Sequence, residues 1–184
     1  MCLRVKLLFI SDIHGYYDNL KIIDEQIVRR NIDKLIVLGD LYYQGPSYNN
    51  VKEIQSNMVK SFLHKHKEHL ICMKGNCDSD VDIKASDFPI SEGISYIFID
   101  NLNIYITHGN KYNILSNKLN DGEILVYGHE HVPYIKQFDG KIYINVGSIS
   151  FSRNDGLPTY MIYENKIFTI YDIEDNVKDR IEIK

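Results

Sequence analysis

Cysteine is scarce in this chain. Its three cysteines are Cys2, Cys72 and Cys77, an odd number with no Cys-x-x-Cys pair. That argues against both a disulfide framework and a structural zinc ribbon. Long apolar runs are also missing: no stretch approaches the roughly 18 residues of a membrane span. The run Leu7–Ile10 ends at Asp12, too short for a span or a signal peptide. The expectation is a protein of a reducing cytoplasm with no membrane partner. Excess positive charge is absent too. The formal net charge is −4, so the basic field that coats DNA or RNA is lacking. Small phosphate esters stay open as substrates, because bound metals can supply local positive charge. There is no internal repeat, low-complexity tract or linker.

What is present is ordinary globular material. Hydrophobic residues make up 44% and charged residues 25%, which excludes general disorder. The 184 residues match one domain by the usual prior of ~100–200, so 1–184 is read as a single domain. Val5–Ile10 has strand length. A helical pattern follows, with Leu20, Ile23 and Ile27 at spacings of three and four, and Asp18 or Asn19 as its cap. Leu35–Leu38 is a second strand. Val51, Ile54, Met58 and Phe62 share one face of a second helix, and Leu70–Met73 is a third strand. Strand, helix, strand, helix, strand reads as α/β with parallel neighbours.

The second half is strand-rich: Tyr96–Ile99, Leu102–Thr107, Ile124–Tyr127, Val132–Phe138, Lys141–Val146, Tyr160–Tyr163 and Ile167–Ile173. Asp139–Gly140 suits a hairpin turn strongly and Glu164–Asn165 weakly. This run predicts a second, more antiparallel sheet sharing one core with the first.

Five apolar strands end in residues of metal-binding type. They run into Asp12-Ile13-His14, Gly39-Asp40, Gly75-Asn76, His108-Gly109 and Gly128-His129-Glu130-His131. In open α/β sheets, sites form where strand C-termini open into loops. Carboxylate, imidazole and amide oxygen together suit Mn²⁺, Fe²⁺ or Zn²⁺, and the lack of thiolates argues against a closed structural zinc site. Seven donors exceed the needs of one catalytic metal. They fit two with a bridging carboxylate, the arrangement that clamps both oxygens of a phosphoryl displacement. Each piece has a plainer reading by itself. Asp-x-His is common, Gly-Asp and Gly-Asn are often turns, and His108 suits a capped strand end. The coincidence of all five, each at a strand end, favours the metal site.

In that order the blocks resemble the calcineurin-like metallophosphoesterase superfamily. Gly75-Asn-Cys-Asp78, Asn145-Val-Gly-Ser148 and the strand-rich end resemble its small YfcE-type phosphodiesterase subfamily, over nearly the whole chain. The resemblance implies an α/β (α+β) fold of two packed mixed β-sheets flanked by helices, a four-layer αββα sandwich. It implies that Asp12, His14 and His131 hold one metal, that Asn76, His108 and His129 hold the second, and that Asp40 bridges. A hydroxide between them would attack phosphorus in line. Asn76 would also touch a phosphate oxygen. Many superfamily members carry His where this chain has Cys77. A thiol with pKa ~8.5 is a poor general acid at neutral pH, so Cys77 is read as shaping the leaving-group side. Asp78 is expected to support the loop.

Other residues stay ambiguous. His64, His66 and His69 lie at a helix end with spacing that does not converge, so a solvated face is expected. Tyr42, Tyr43 and Gln44 follow Asp40, placed either to line a substrate cleft or to pack on another subunit. Arg153 is either a phosphate contact or a plain surface arginine. The function expected is hydrolysis of a small phosphate ester, a diester before a monoester. Two divalent ions would serve it, Mn first and Fe, Ni, Zn or Mg as rivals. The reading from another class is a non-catalytic scaffold like the retromer subunit that resembles this fold. The natural substrate and any homo-oligomer are open.

Overall fold

The computed structural model describes residues 5–43, 55–116, 119–154 and 156–184. Its first half follows the expected alternation: β1 (Lys6–Ile10), α1 (Asp18–Arg30), β2 (Lys34–Val37), α2 (Ser56–Lys65) and β3 (Leu70–Met73). β1, β2 and β3 pair in parallel, with Leu8 opposite Leu35 and Leu35 opposite Leu70. These strands are almost wholly apolar because both of their faces are covered. Leu8, Ile10, Leu35, Val37 and Cys72 pack on Leu20 and Ile23 of α1 and on Val59, Phe62 and Leu63 of α2. Leu7, Phe9, Ile36, Leu38 and Met73 face the other way, into the core between two sheets. Fully burying each Leu, Ile or Phe of this kind is worth ~1.5–3 kcal/mol.

The helices differ from expectation in detail. Neither Asp18 nor Asn19 caps α1. The capping position is Tyr17, with no side-chain cap bond. Asn19 instead donates to the Ile149 carbonyl at 2.7 Å, and Asp18 pairs with Lys21 at 2.9 Å, so other partners win over the cap. In α2, Met58 is exposed and the buried face is Val59, Phe62 and Leu63, one position round from the face read in the sequence. Val51 and Ile54 lie outside the described residues. His66 ties α2 to α1 through Asp24 at 2.6 Å and packs on Phe62, so this end is not simply solvated.

The second-half strands divide between two sheets, contrary to the single added sheet expected. β5 (Ile94–Ile99), β6 (Leu102–Thr107), β7 (Ile124–Tyr127), β8 (Tyr134–Phe138) and β9 (Lys141–Asn145) form one in the order β5-β6-β7-β9-β8. Its centre, β6-β7-β9, is parallel. β10 (Thr159–Glu164), β11 (Ile167–Asp172) and β12 (Val177–Glu182) return to the first sheet beside β1, antiparallel. β10 is buried at five successive positions, so it needs cover on both faces, which the interior place beside β1 supplies. The two-residue β4 (Ile90–Ser91), the polar β12 and the short α3 (Asp80–Ala85) carry too little apolar pattern to be read from sequence.

Three hairpin turns among the described residues have both central residues in the left-handed region, Asp100–Asn101 between β5 and β6 being one that was not expected. The second is Asp139–Gly140, as expected. The third is Asn165–Lys166, one residue later than expected. Three of the four expected layers are regular. Among the described residues no helix covers the outer face of the five-stranded sheet. There Leu125, Tyr127 and Tyr143 pack under Ile114 and Leu119, which lie outside any helix or strand between β6 and β7.

Candidate metal centre

The parallel strands of both sheets deliver their C-terminal ends to one edge. Asp12 and His14 follow β1, Asp40 follows β2, Asn76 follows β3, His108 follows β6, and His129 and His131 follow β7. The loops interlock through their backbones. Asp12 N–H donates to the Gly39 carbonyl at 3.0 Å, His14 N–H to the Asp40 carbonyl at 2.8 Å, and Gly128 N–H to the His108 carbonyl at 2.9 Å. Glycine is required where they touch. A Cβ on Gly128 would lie 1.9 Å from Ser11 Oγ, and one on Gly75 would lie 2.1 Å from Asp40 Oδ1. Five of the seven donor residues sit in the left-handed region: Asp12, His14, Asp40, His129 and His131, with φ from 51° to 63°. Side chains there strain the backbone, a feature that clusters at functional sites.

Asp12, His14 and His131 form one group, with ligand atoms all within 4.8 Å of one another. His14 Nε2 faces His131 Nε2 at 3.2 Å. Asp12 Oδ1 lies 3.1 Å from His131 Nε2 and 3.7 Å from His14 Nε2. It is buried and lacks a donor in hydrogen-bond geometry. Two ligands held at ~2.1 Å from one cation lie ~3 Å apart, which matches the facing nitrogens. Asp40, His108 and His129 form a second group. Asn76 joins it, its Oδ1 being 2.9 Å from His108 Nε2. Asp40 Oδ2 stands between the groups, 3.7 Å from His14 Nε2 and 3.4 Å from His108 Nε2.

The histidine rings are set by their far nitrogens. Nδ1–H of His14, His108 and His131 donates to the carbonyls of Tyr43, Leu38 and Phe151 at 2.6, 2.8 and 3.0 Å. Each Nε2 therefore points its lone pair inward, the orientation that metal-ligating histidines take from a carbonyl behind them. Electrostatics agree. Burial opposes the Asp12 charge, yet contact with His131 and His14 holds its carboxyl far below the usual range. Burial also pulls His108 down, but Asp40 outweighs it and holds the imidazole up at about 9. His14 is raised against burial by Asp12, and His129 is lowered by burial and by the charge on His108. The site is built for cations, whether protons or metal ions. Cys77 Sγ lies near His14 and Asp40, but burial and Asp40 push its thiol up to about 12, so it offers no thiolate.

Of the supports for these loops, Asn145 and Ser148 are marked in the sequence only through the resemblance, and Ser150 carries no signal. Ser148 Oγ donates to the Asp12 carbonyl at 2.9 Å and Ser150 Oγ to the Ile13 carbonyl at 2.6 Å. Asn145 donates to the Gly128 carbonyl at 2.7 Å. Asp78 does what was expected of it: its buried carboxylate accepts from the N–H groups of Asp40, Leu41 and Gly75 at 2.7–2.9 Å.

The remaining candidates lie around the rim. Tyr43 is 51% exposed and lines a cavity of about 640 Å³ together with Tyr42, Cys77 and residues of α2 and α3. A smaller cavity of about 200 Å³ opens on the other side, at Lys74, Asn76, Glu92 and Lys111. Arg153 anchors its N–H on the His131 carbonyl at 3.2 Å and keeps its side chain exposed. Gln44 lies outside the described residues. His64 and His66 pair with separate carboxylates, Asp87 and Asp24, and form no site.

The family model for the calcineurin-like phosphoesterase superfamily domain matches residues 5–166. The chain is 28% identical to phosphodiesterase YfcE of Escherichia coli K12 over 93% of its own length and 94% of the relative's. A solved structure of E. coli YfcE, described as a phosphoesterase, superposes with a TM-score of 0.91 at 27% identity, covering 98% of this chain and all of the other. Vacuolar protein sorting 29 from Cryptosporidium parvum shares the fold with a TM-score of 0.67 at 18% identity, over 98% of this chain and 99% of that one.

Proposed function

This chain belongs to the calcineurin-like phosphoesterase superfamily, and from that premise we propose that it is a phosphodiesterase working with two divalent cations. Asp12, His14 and His131 hold one cation, Asn76, His108 and His129 hold the other, and Asp40 touches both. The observation that carries this is the convergence of five strand ends, with Asp40 Oδ2 facing an imidazole of each group. When bound, the cations supply an activated water and neutralise charge on the phosphoryl oxygens. The chain's own groups do the rest. Asp40 balances the charge of the pair. Asn76 and Arg153 hold phosphate oxygens, and Asn76 and His108 keep the reacting phosphorus in register. Cys77 and Tyr43 border the space for the leaving group. Manganese is the preferred metal, with iron, nickel, zinc and magnesium as rivals.

A diester is favoured over a monoester because cavities flank Asn76 and Cys77 on both sides, one for each ester arm. The scaffold reading draws support from the fold shared with vacuolar protein sorting 29. Against it, every donor position is filled, and the rings of His14, His108 and His131 are oriented by carbonyls behind them. We take residues 1–184 as one catalytic domain acting on a small substrate in the cytoplasm. No helix among the described residues is long and apolar enough to cross a membrane.

The test is hydrolysis of bis(p-nitrophenyl) phosphate against p-nitrophenyl phosphate. EDTA is expected to abolish turnover and Mn²⁺ to restore it, with the diester turned over faster. If no divalent metal supports cleavage of either ester, the scaffold reading prevails. If only the monoester is cleaved, the enzyme is a phosphomonoesterase.

A further inference from the structure

We infer that the larger cavity receives an ester arm bearing a flat ring and an anionic group, and that Lys60 reads the anion. The inference rests on the phosphodiesterase reading and goes on to name the class of substrate. The cavity reaches the donor cluster at Cys77, whose backbone N–H is bonded to Asp40 Oδ1 at 2.8 Å. A phosphorus held over the donors has one arm directed into it. At about 640 Å³ it falls within the ~300–1,000 Å³ typical of sites for small organic molecules, far more than a short alkyl arm fills.

The walls specify the rest. Tyr42 and Tyr43 supply aromatic surface; the Ser86 contact at 3.1 Å holds the Tyr42 hydroxyl in place, and burial keeps it neutral. Asn57 supplies an amide for ring heteroatoms. Among the described residues, two charged ones line the space, Asp82 and Lys60. The Asp82 carboxylate is turned toward the cap of α3, accepting from Ser79 N–H at 3.1 Å and Ser79 Oγ at 2.6 Å, and makes no ion pair with Lys60. Lys65 and Lys67 nearby are paired with Asp24 and Asp87 at 2.9 and 3.2 Å. Lys60 has no ion pair or hydrogen bond among the described residues. Lys60 thus offers the cavity an ammonium that no carboxylate touches, beside aromatic walls, and a nucleotide-like arm meets that chemistry.

The decisive comparison uses the full chain with Mn²⁺ and two p-nitrophenyl diesters, one with a phenyl arm and one with a 4-carboxyphenyl arm. The wild type should favour the carboxylated ester by up to about fivefold in kcat/KM, the upper range for an exposed ion pair. Lys60→Ala should erase that preference, chiefly through KM, and Lys60→Arg should keep it. Added salt should narrow it. Equal turnover of the two esters by the wild type, or equal losses on both in Lys60→Ala, would overturn the inference alone. Calorimetric binding of the carboxylated ester to metal-stripped protein reads the cavity apart from the chemistry. Lys60-dependent binding without turnover of either ester would sink the phosphodiesterase reading and leave the inference standing.

Discussion

Cys77 stands where the donor cluster meets the larger cavity. Its backbone N–H holds Asp40, while its thiol accepts from Asn76 Nδ2 at 3.3 Å and stays neutral. A neutral hydroxyl can take that place. Cys77→Ser should therefore keep both metals and keep kcat/KM within roughly tenfold, about 1.4 kcal/mol of barrier. Metal analysis and steady-state kinetics check this, and loss of metal in the variant would make the thiol a ligand after all. At this scale the sequence was legible where chemistry fixes residue type. The structure brings together Asp12, His14, Asp40, Asn76, His108, His129 and His131 as their spacing at strand ends suggested. It was illegible where a residue acts through its backbone partner. Ser148 is marked only by a motif with no role attached, and Ser150 looks like any loop serine, until the Asp12 and Ile13 carbonyls are seen beneath them.

Elements meet at this edge with no room between them. Gly128, at the end of β7, lies against Ser11 and Asp12 at the end of β1. Gly128→Ala must push the two sheets' loops apart. Overpacking of this kind is destabilising by ~1–3 kcal/mol. In a chain of this length that lowers Tm by roughly 3–10 °C. The larger effect should be on Mn²⁺ affinity, because the new methyl would lie 2.5 Å from Asp12 Oδ2. Thermal unfolding and a Mn²⁺ titration measure both, and unchanged affinity would contradict the close approach. Strands with long apolar runs were legible, since burial on both faces leaves little choice of residue. Their allocation between sheets was not. β10 is followed by β11 across a tight turn, and local pattern does not reveal that the pair adds to β1.

For the whole molecule, protons and metal ions compete for one set of groups. In the metal-free protein, His108 is raised to about 9 and His14 is raised above its ordinary value. Their contribution to stability is complete below the unfolded histidine pKa of about 6.5 and is lost as pH rises through about 9. Asp12 and Asp40 are lowered, so their contribution is present above the ordinary carboxylate range and fades as pH falls below it. Metal-free protein should thus be most stable between roughly pH 4 and 6.5 and should lose Tm from there to pH 9. Mn²⁺ affinity should climb over the same interval, because binding must displace the imidazole protons. Calorimetric scans with and without Mn²⁺ read both trends. A metal-free Tm that rises from pH 6.5 to 9 would contradict them.

The left-handed backbone at Asp12, His14, Asp40, His129 and His131 has a consequence for descent. Glycine relaxes such positions, and asparagine tolerates them better than histidine does. While catalysis is under selection, the strained residues persist. Once a lineage keeps the fold for some other purpose, replacing them relieves strain, so mutation and selection for stability pull in the same direction. Erosion of the donors in a non-catalytic descendant is then an adaptive gain in stability rather than neutral decay, and it should begin at these five positions before Asn76 or His108.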